Sequence, residues 1–147
     1  MKLDMFKKFF HSYLKAKGFE KIKNEYYMNG KEFLCMIDLQ RSSYGPTYYI
    51  NYTFFLGEFE KPYVINTDSI ETYTPYVGNR FYFAENNKYS CDYLEYTEEE
   101  LTSILDFNFN ERVAPPFEKG KKYLLDNFGN LYESHLKDEI IIPILKK

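Results

Sequence analysis

A chain of 147 residues with 44% apolar and 28% charged residues has the size and composition of one globular domain. Its net charge of −3 argues against the basic surface that duplex nucleic acid requires, and no apolar run approaches the roughly 20 residues of a membrane-spanning helix. The lysine-interrupted start offers no signal-peptide cleavage site. We therefore expect a single cytoplasmic domain over residues 1–147 that binds neither nucleic acid nor membrane.

The first predicted element is an amphipathic helix near the N-terminus. Asp4 has the residue type of an N-cap, and Gly18 has that of a stop signal. Between them, apolar residues recur at the three- and four-residue spacing of a helix face. These residues are Phe6, Phe9, Phe10, Tyr13 and Leu14.

Three strand-like runs follow and predict an antiparallel meander. Two of them lie in residues 20–40 and are joined by Asn29-Gly30, a strong hairpin signal because both residues tolerate positive φ. The third covers residues 47–56 and is rich in β-branched and aromatic residues. Along the second run, alternation places Asp38 and Gln40 on the face opposite Ile37, so one face should carry helices.

The rest of the chain predicts further strands and then helices. Residues 57–78 form a long connection, followed by a fourth strand at 80–83 and a possible fifth at 89–96, with a turn at 86–87. Thr97 and Glu100 fit a capping box. The pair Pro115-Pro116 should end or redirect this helix and can begin the next, which stops near Gly129. The apolar tail 140–145 must pack on the core, as helix or extended chain.

The predicted fold class is therefore α+β. An antiparallel meander sheet of four to five strands packs against an N-terminal helix and two C-terminal helices.

No motif of established chemistry is present in the sequence. His11 and His135 have no local metal-ligating or catalytic partners, and Cys35 and Cys91 are too far apart for a zinc or redox motif. Neither a nucleophile elbow nor a phosphate-binding glycine loop occurs. The acidic run at 98–100 suits the first turn of a helix. We expect no catalytic residue, no metal site and no cofactor.

The turn between the second and third runs is the one candidate binding region. Its side chains donate and accept hydrogen bonds, and its tyrosines add flat amphipathic surface. The same residue types also build turns for backbone reasons, so a structural role and a ligand role both remain open. The group comprises Gln40, Arg41, Ser42, Ser43, Tyr44, Tyr48, Tyr49 and Asn51.

At these residues the chain resembles a bacterial family, the domain of unknown function 4304. The resemblance rests on Lys17-Gly18-Phe19, on Asn24 with Tyr26-Tyr27, on Leu39-Gln40-x-Ser42, and on Tyr48-Tyr49-Ile50-Asn51. It covers about the first 90 residues, and Arg80 matches a further family arginine. The family has no established activity, so the resemblance implies only a location, at Gln40, Ser42, Asn51 and Arg80.

Two hypotheses of function follow from the sequence. The first is a non-enzymatic binding or protein-interaction domain, such as an immunity-like protein, that uses the aromatic-rich sheet or the 41–47 turn. The alternative is a small-ligand or enzymatic domain in which Arg41 and Arg80 hold a carboxylate or phosphate beside Gln40, Ser42 and Asn51. Homodimerisation through an exposed edge strand is a third possibility. The candidate binding residues are Gln40, Arg41, Ser42, Tyr44, Asn51 and Arg80.

Overall fold

A computed structural model describes residues 1–65, 74–83 and 88–147. Among the described residues up to 80 there are one helix and five strands: α1 Leu3–Ala16, β1 Glu20–Ile22, β2 Glu25–Asn29, β3 Phe33–Arg41, β4 Tyr48–Leu56 and β5 Tyr76–Arg80. A 3-10 turn, Tyr93–Glu95, precedes the C-terminal helices. These are α2 Glu98–Asn108, a π-helical turn Phe109–Val113, α3 Ala114–Lys119, α4 Lys121–Asp126 and α5 Asp138–Lys146. The strands form one antiparallel sheet in the order β1-β2-β3-β4-β5, which confirms the predicted α+β class.

Helix α1 packs its apolar stripe on the sheet, with Phe6, Phe10 and Leu14 buried. Lys2 is the N-cap residue and makes no side-chain capping bond, so the prediction of Asp4 as the N-cap was wrong. Asp4 lies instead in the first turn, where the helix dipole favours an acid. The helix ends just before Gly18, which adopts φ +98° as a stop residue should.

The first predicted strand run is in fact two strands. Lys23 adopts a φ of 58°, and the chain turns there between β1 and β2. The predicted hairpin after Asn29 exists, but neither Asn29 nor Gly30 has a positive φ. Gly30 is required for space, since a Cβ there would lie 2.6 Å from the ring of Phe33.

The predicted fourth and fifth strands were misplaced. The fourth strand, β5, ends at Arg80 rather than beginning there. Beyond Arg80 one more backbone hydrogen bond joins the chain to β4, from Phe81 N to Ile50 O at 2.9 Å. The pairing ends at Tyr82, where the side chain of Asn108 bonds to both backbone groups, each at 2.7 Å. Residues 89–96 contribute only an isolated bridge from Cys91 to Tyr48 and the 3-10 turn. The fifth strand is supplied by β1. The turn predicted at 86–87 lies outside the described residues.

The C-terminal region is helical, with four α-helices in place of the predicted two. The capping box is confirmed, as Glu100 N donates to Thr97 Oγ1 at 3.1 Å and Thr97 N to Glu100 Oε1 at 3.0 Å. The π-helical turn leads directly into α3, whose first turn holds the proline pair. Gly120, with φ +75°, divides the helix predicted to run to Gly129. The apolar tail forms α5.

A buried polar network ties the sheet to these helices. Tyr52 of β4 donates a 2.6 Å hydrogen bond to the carbonyl of Leu131 and accepts one of 3.2 Å from Arg112. Tyr132 in turn donates to the carbonyl of Arg112 at 2.6 Å. Burial of the Tyr52 side chain raises its pKa to about 12. This network fixes β4, and with it the position of its outward-facing side chains.

Candidate functional site

A row of polar side chains crosses the sheet face that points away from α1. Glu25, Asp38, Asn51 and Arg80 are successive cross-strand partners on β2, β3, β4 and β5. Directly opposed residues share a face of the sheet, so all four side chains project to this outer face. The next pair on the same face is Gln40 with Tyr49.

Hydrogen bonds connect three of the predicted site residues within this row. The Asn51 Nδ2 group donates to Asp38 Oδ2 at 3.2 Å and to Gln40 Oε1 at 3.1 Å. Arg80 donates from Nε to Asn51 Oδ1 and from a terminal nitrogen to Gln40 Oε1, both at 3.3 Å. Its guanidinium carbon lies 3.9 Å from the centre of the Tyr49 ring. Arg80 is therefore held against the sheet by contacts with Asn51, Gln40 and Tyr49.

An open cleft of about 500 Å³ lies beside this arginine. Its floor is the outer face of β4 and β5, and its wall is the segment 133–135. Reciprocal backbone hydrogen bonds of 2.8 and 2.9 Å between Gly78 and Glu133 fix that wall to the edge of the sheet. The ring of His135 packs edge-on against Tyr76 at 5.5 Å. The cleft thus has a floor of paired strands and one side that is hydrogen-bonded to the sheet edge.

The charges around the cleft are of mixed sign. Arg80 supplies a cation, while Asp38 and Glu133 supply carboxyl groups to the lining. Burial raises the pKa of Asp38 and nearby Glu25 adds to the rise, whereas the hydrogen bond from Asn51 and the charge of Arg80 oppose it. Bonds to Asn51 and Gln40 occupy two of the five N–H donors of Arg80, and the others make no hydrogen bond in the described part of the chain. The arrangement can bind an anionic group and a donor group together.

The remaining predicted residues lie elsewhere. Arg41 pairs with Tyr48 in the register that faces α1, and it lines a separate cleft there. Ser42 serves the turn: its Oγ accepts from Tyr44 N at 3.1 Å, and its backbone N–H donates to Thr47 O at 3.0 Å. Tyr44 is 92% exposed at the tip of the turn. The predicted site that joins both arginines is therefore geometrically wrong, because Arg41 and Arg80 lie on opposite faces.

Ser43 borders a shallow hollow at the tip of this turn, together with Arg41, Ser42 and Gly45.

The wall of the Arg80 cleft at 133–135 was not predicted from the sequence. Its isolated bridge to Gly78 spans more than 50 residues of chain and has no local sequence signal. Asp38 was identifiable, since the alternation along β3 already placed it beside Gln40.

Both cysteines, the nucleophile candidates considered in the sequence, are buried. Burial raises the pKa of the Cys35 thiol well above its ordinary value and that of Cys91 to about 12. His11 Nδ1 lies 2.8 Å from the hydroxyl of Tyr26.

No group of three or more His, Cys, Asp or Glu side chains that could hold a metal ion occurs among residues 1–65, 74–83 and 88–147. Over the same residues, no helix is long and apolar enough to cross a membrane.

Comparison with known proteins identifies a family and nothing finer. Neither the curated proteins nor the solved structures contain a significant match to the chain. One family model matches residues 10–119, which extend from α1 through the sheet to the end of α3. The match therefore reaches further than the first 90 residues expected from the sequence motifs. Since it covers most of the chain, the protein belongs to the family described as "Domain of unknown function (DUF4304)".

Proposed function

We propose that this chain is a non-enzymatic binding domain whose outer-face cleft holds a small ligand with one carboxylate and one ammonium group, as in a free amino acid or a short peptide. The observation that carries the proposal is Arg80, stacked on Tyr49 and hydrogen-bonded to Asn51 and Gln40 beside the cleft. An arginine fixed in this way loses little conformational entropy when it binds a planar carboxylate.

The charge of the cleft favours a carboxylate over a phosphate. Of the described residues that line the cleft, one is an arginine, and Asp38 and Glu133 contribute negative charge to the same lining. A phosphate dianion would be repelled by these carboxyl groups, whereas a carboxylate of charge −1 is balanced by Arg80 alone. An ammonium group on the same ligand would then be attracted to Glu133 or Asp38. The volume of about 500 Å³ lies within the range of small-molecule sites.

The proposal is tested by NMR titration of the ¹⁵N-labelled full chain with the twenty common amino acids and with glycylglycine. Binding should shift the Arg80 Nε–H and Asn51 side-chain amide resonances and leave the Arg41 Nε–H unchanged. Acetate and ethylamine, which each carry one of the two groups, serve as matched controls and should bind at least about tenfold more weakly. Binding confined to resonances of the 41–47 turn would contradict the proposal, as would no binding by any probe.

A second candidate function is recognition of a partner protein through the 41–47 turn. Tyr44 supports it, because this side chain is 92% exposed at the tip and aromatic residues are frequent anchors of protein interfaces. Affinity capture from a native host by the wild-type chain and by Tyr44→Ala should recover a partner only with tyrosine present; equal recovery would contradict this candidate. Homodimerisation through a sheet edge stays a prediction, which light scattering on the purified chain would test.

A further inference from the structure

A second cleft lies on the other side of the sheet, where α1 crosses the ends of β1 and β3. It has a volume of about 340 Å³. Lys7 and His11 border it from α1, four residues apart and so on one face of the helix, while Lys21 enters from β1 and Arg41 from the end of β3. Three cationic side chains and the imidazole of His11 thus converge from three elements.

Among the described residues, neither Asp nor Glu lines this cleft, although the chain as a whole has a net charge of −3. The nearby carboxylate of Glu25 accepts a hydrogen bond of 3.0 Å from the backbone N–H of Asn24 and forms no ion pair with the cations of the cleft. Within the described residues, Lys7, Lys21 and Arg41 form no ion pair. Such a concentration of unpaired positive charge raises the local concentration of anions.

Aromatic rings position the two lysines without neutralising them. Lys7 Nζ lies 6.0 Å from the centre of the Tyr48 ring, and Lys21 Nζ lies 5.8 Å from that of Tyr26. Cation–π contacts of this kind leave the ammonium protons available to an anion. Tyr26 and Tyr48 are themselves buried and therefore give the lysines a firm support.

His11 supplies a further donor. Its Nδ1 atom lies 2.8 Å from the Tyr26 hydroxyl, and burial raises the pKa of that tyrosine, so the hydroxyl keeps its proton. When the hydroxyl donates to Nδ1, the neutral ring carries its own proton on Nε2. An imidazolium would also donate from Nε2. In these two states the ring offers its Nε2–H to an anion, whereas the neutral tautomer that donates from Nδ1 to the Tyr26 hydroxyl does not.

From this geometry we propose that the basic cleft binds the phosphate group of a small ligand. A phosphate dianion has several strong acceptor oxygens, and lysine and arginine are its usual protein ligands. Three cations surrounding a cleft of about 340 Å³ match the charge and size of a diphosphate or a phosphorylated headgroup. This proposal does not depend on the function proposed for the Arg80 cleft, which takes a different ligand on the opposite face.

Calorimetric titration of the full chain with inorganic pyrophosphate tests this proposal. Arg41→Gln and Lys7→Gln should each raise the Kd about tenfold or more, because each removes one charge from the cleft. Lys119→Gln is the matched control, since its ammonium also lies over a tyrosine ring, at 5.4 Å from the centre of Tyr123, and borders a different cleft. It should change the Kd by no more than about twofold.

A second arm distinguishes a soluble phosphate from a lipid headgroup. Phosphatidylcholine vesicles with and without phosphatidic acid are sedimented with the wild-type chain and the same three variants. Binding of either probe that depends on Arg41 and Lys7 and not on Lys119 supports the proposal, and the probe bound identifies the source of the phosphate. Failure of both probes, or an equal loss of binding with Lys119→Gln, would overturn it. Lys7 and Arg41 are exposed, so their substitution should not unfold the chain, and a loss of binding would then come from the cleft itself. Equal urea midpoints for the wild-type chain and the variants would confirm this.

Discussion

Gly78→Ala should disturb both the fold and the Arg80 cleft. Gly78 lies in the middle of β5, opposite Thr53 of β4 and bridged on its other side to Glu133. A Cβ at this position would lie only 2.3 Å from the carbonyl oxygen of Tyr52 and 3.1 Å from the Cα of Thr53. Both obstacles are backbone atoms, so no side-chain rotation can relieve the contact.

The size of the effect follows from that distance. Real Cβ contacts essentially never fall below 3.0 Å, so β5 would have to move away from β4 by at least about 0.7 Å. Overpacking of this kind destabilises a protein by roughly 1 to 3 kcal/mol. Because Arg80 lies two residues further along β5, the same shift would lengthen its hydrogen bonds of 3.3 Å to Asn51 and Gln40. A loss of stability and a displaced arginine should therefore occur together.

Urea unfolding and the NMR spectrum of the variant measure the two effects. The control is Gly45→Ala, where nothing lies within 4 Å of the added Cβ and the only penalty comes from a φ of +121°. Gly45→Ala should lower the free energy of unfolding by about 1 to 2 kcal/mol, the cost of a positive φ for a residue with a Cβ, and leave the Arg80 Nε–H resonance in place. If Gly78→Ala unfolds at the wild-type urea concentration and keeps the wild-type Arg80 resonance, the close approach of β5 to β4 is wrong.

Four further variants test the interior, the outer face and a helix end by urea unfolding. Tyr52→Phe should lower the free energy of unfolding by about 2 to 3 kcal/mol, because it leaves the Leu131 carbonyl and Arg112 without their hydrogen-bond partner. Arg112→Met should lower it by less, since this change also removes a buried Nε that has no partner among the described residues. Asp38→Asn should raise the free energy of unfolding at pH 7, because burial raises the pKa of Asp38 in the folded state and so disfavours the carboxylate that predominates at this pH. This gain in stability should vanish below about pH 4, where the carboxyl group is protonated in both the folded and the unfolded state. A gain that grew on acidification would contradict this sign. Thr97→Ala should lose about 1 kcal/mol through the missing cap, and an unchanged midpoint would contradict the capping box.

Alternation in the sequence predicted the centre of the sheet well. Buried residues alternate with half-buried ones from Cys35 to Asp38 in β3 and from Tyr48 to Phe54 in β4, which is the period of a strand with one face on the core. The edges were harder to predict. β5 contains Gly78 and Asn79, which have low strand propensity, and it is held by a close approach to β4 that no local pattern reveals. The chain after it is diverted by Asn108, an interaction across 26 residues.

The candidate site was predictable in part. Parity along β3 and the resemblance to the family brought Gln40 and Asn51 forward, and the structure places them beside Arg80. The same alternation is inconsistent with a site that contains both Gln40 and Arg41, because adjacent residues of a strand point to opposite faces of the sheet. In the structure, the two arginines of the one predicted site therefore lie in separate clefts, Arg80 on the outer face and Arg41 on the face toward α1. The basic cleft at Arg41 could not be seen in the sequence, since its members come from three distant segments.

The most direct test of the binding function is the affinity of the Arg80 cleft for its best amino acid or glycylglycine ligand, measured by calorimetry on three proteins. The wild-type chain should bind saturably, and Arg80→Lys should raise the Kd about tenfold or more because lysine cannot offer the planar pair of donors. Arg41→Lys, on the opposite face, should remain within about twofold of the wild-type Kd. Equal Kd values for the wild-type and Arg80→Lys chains would contradict the proposed site, as would a larger loss for Arg41→Lys.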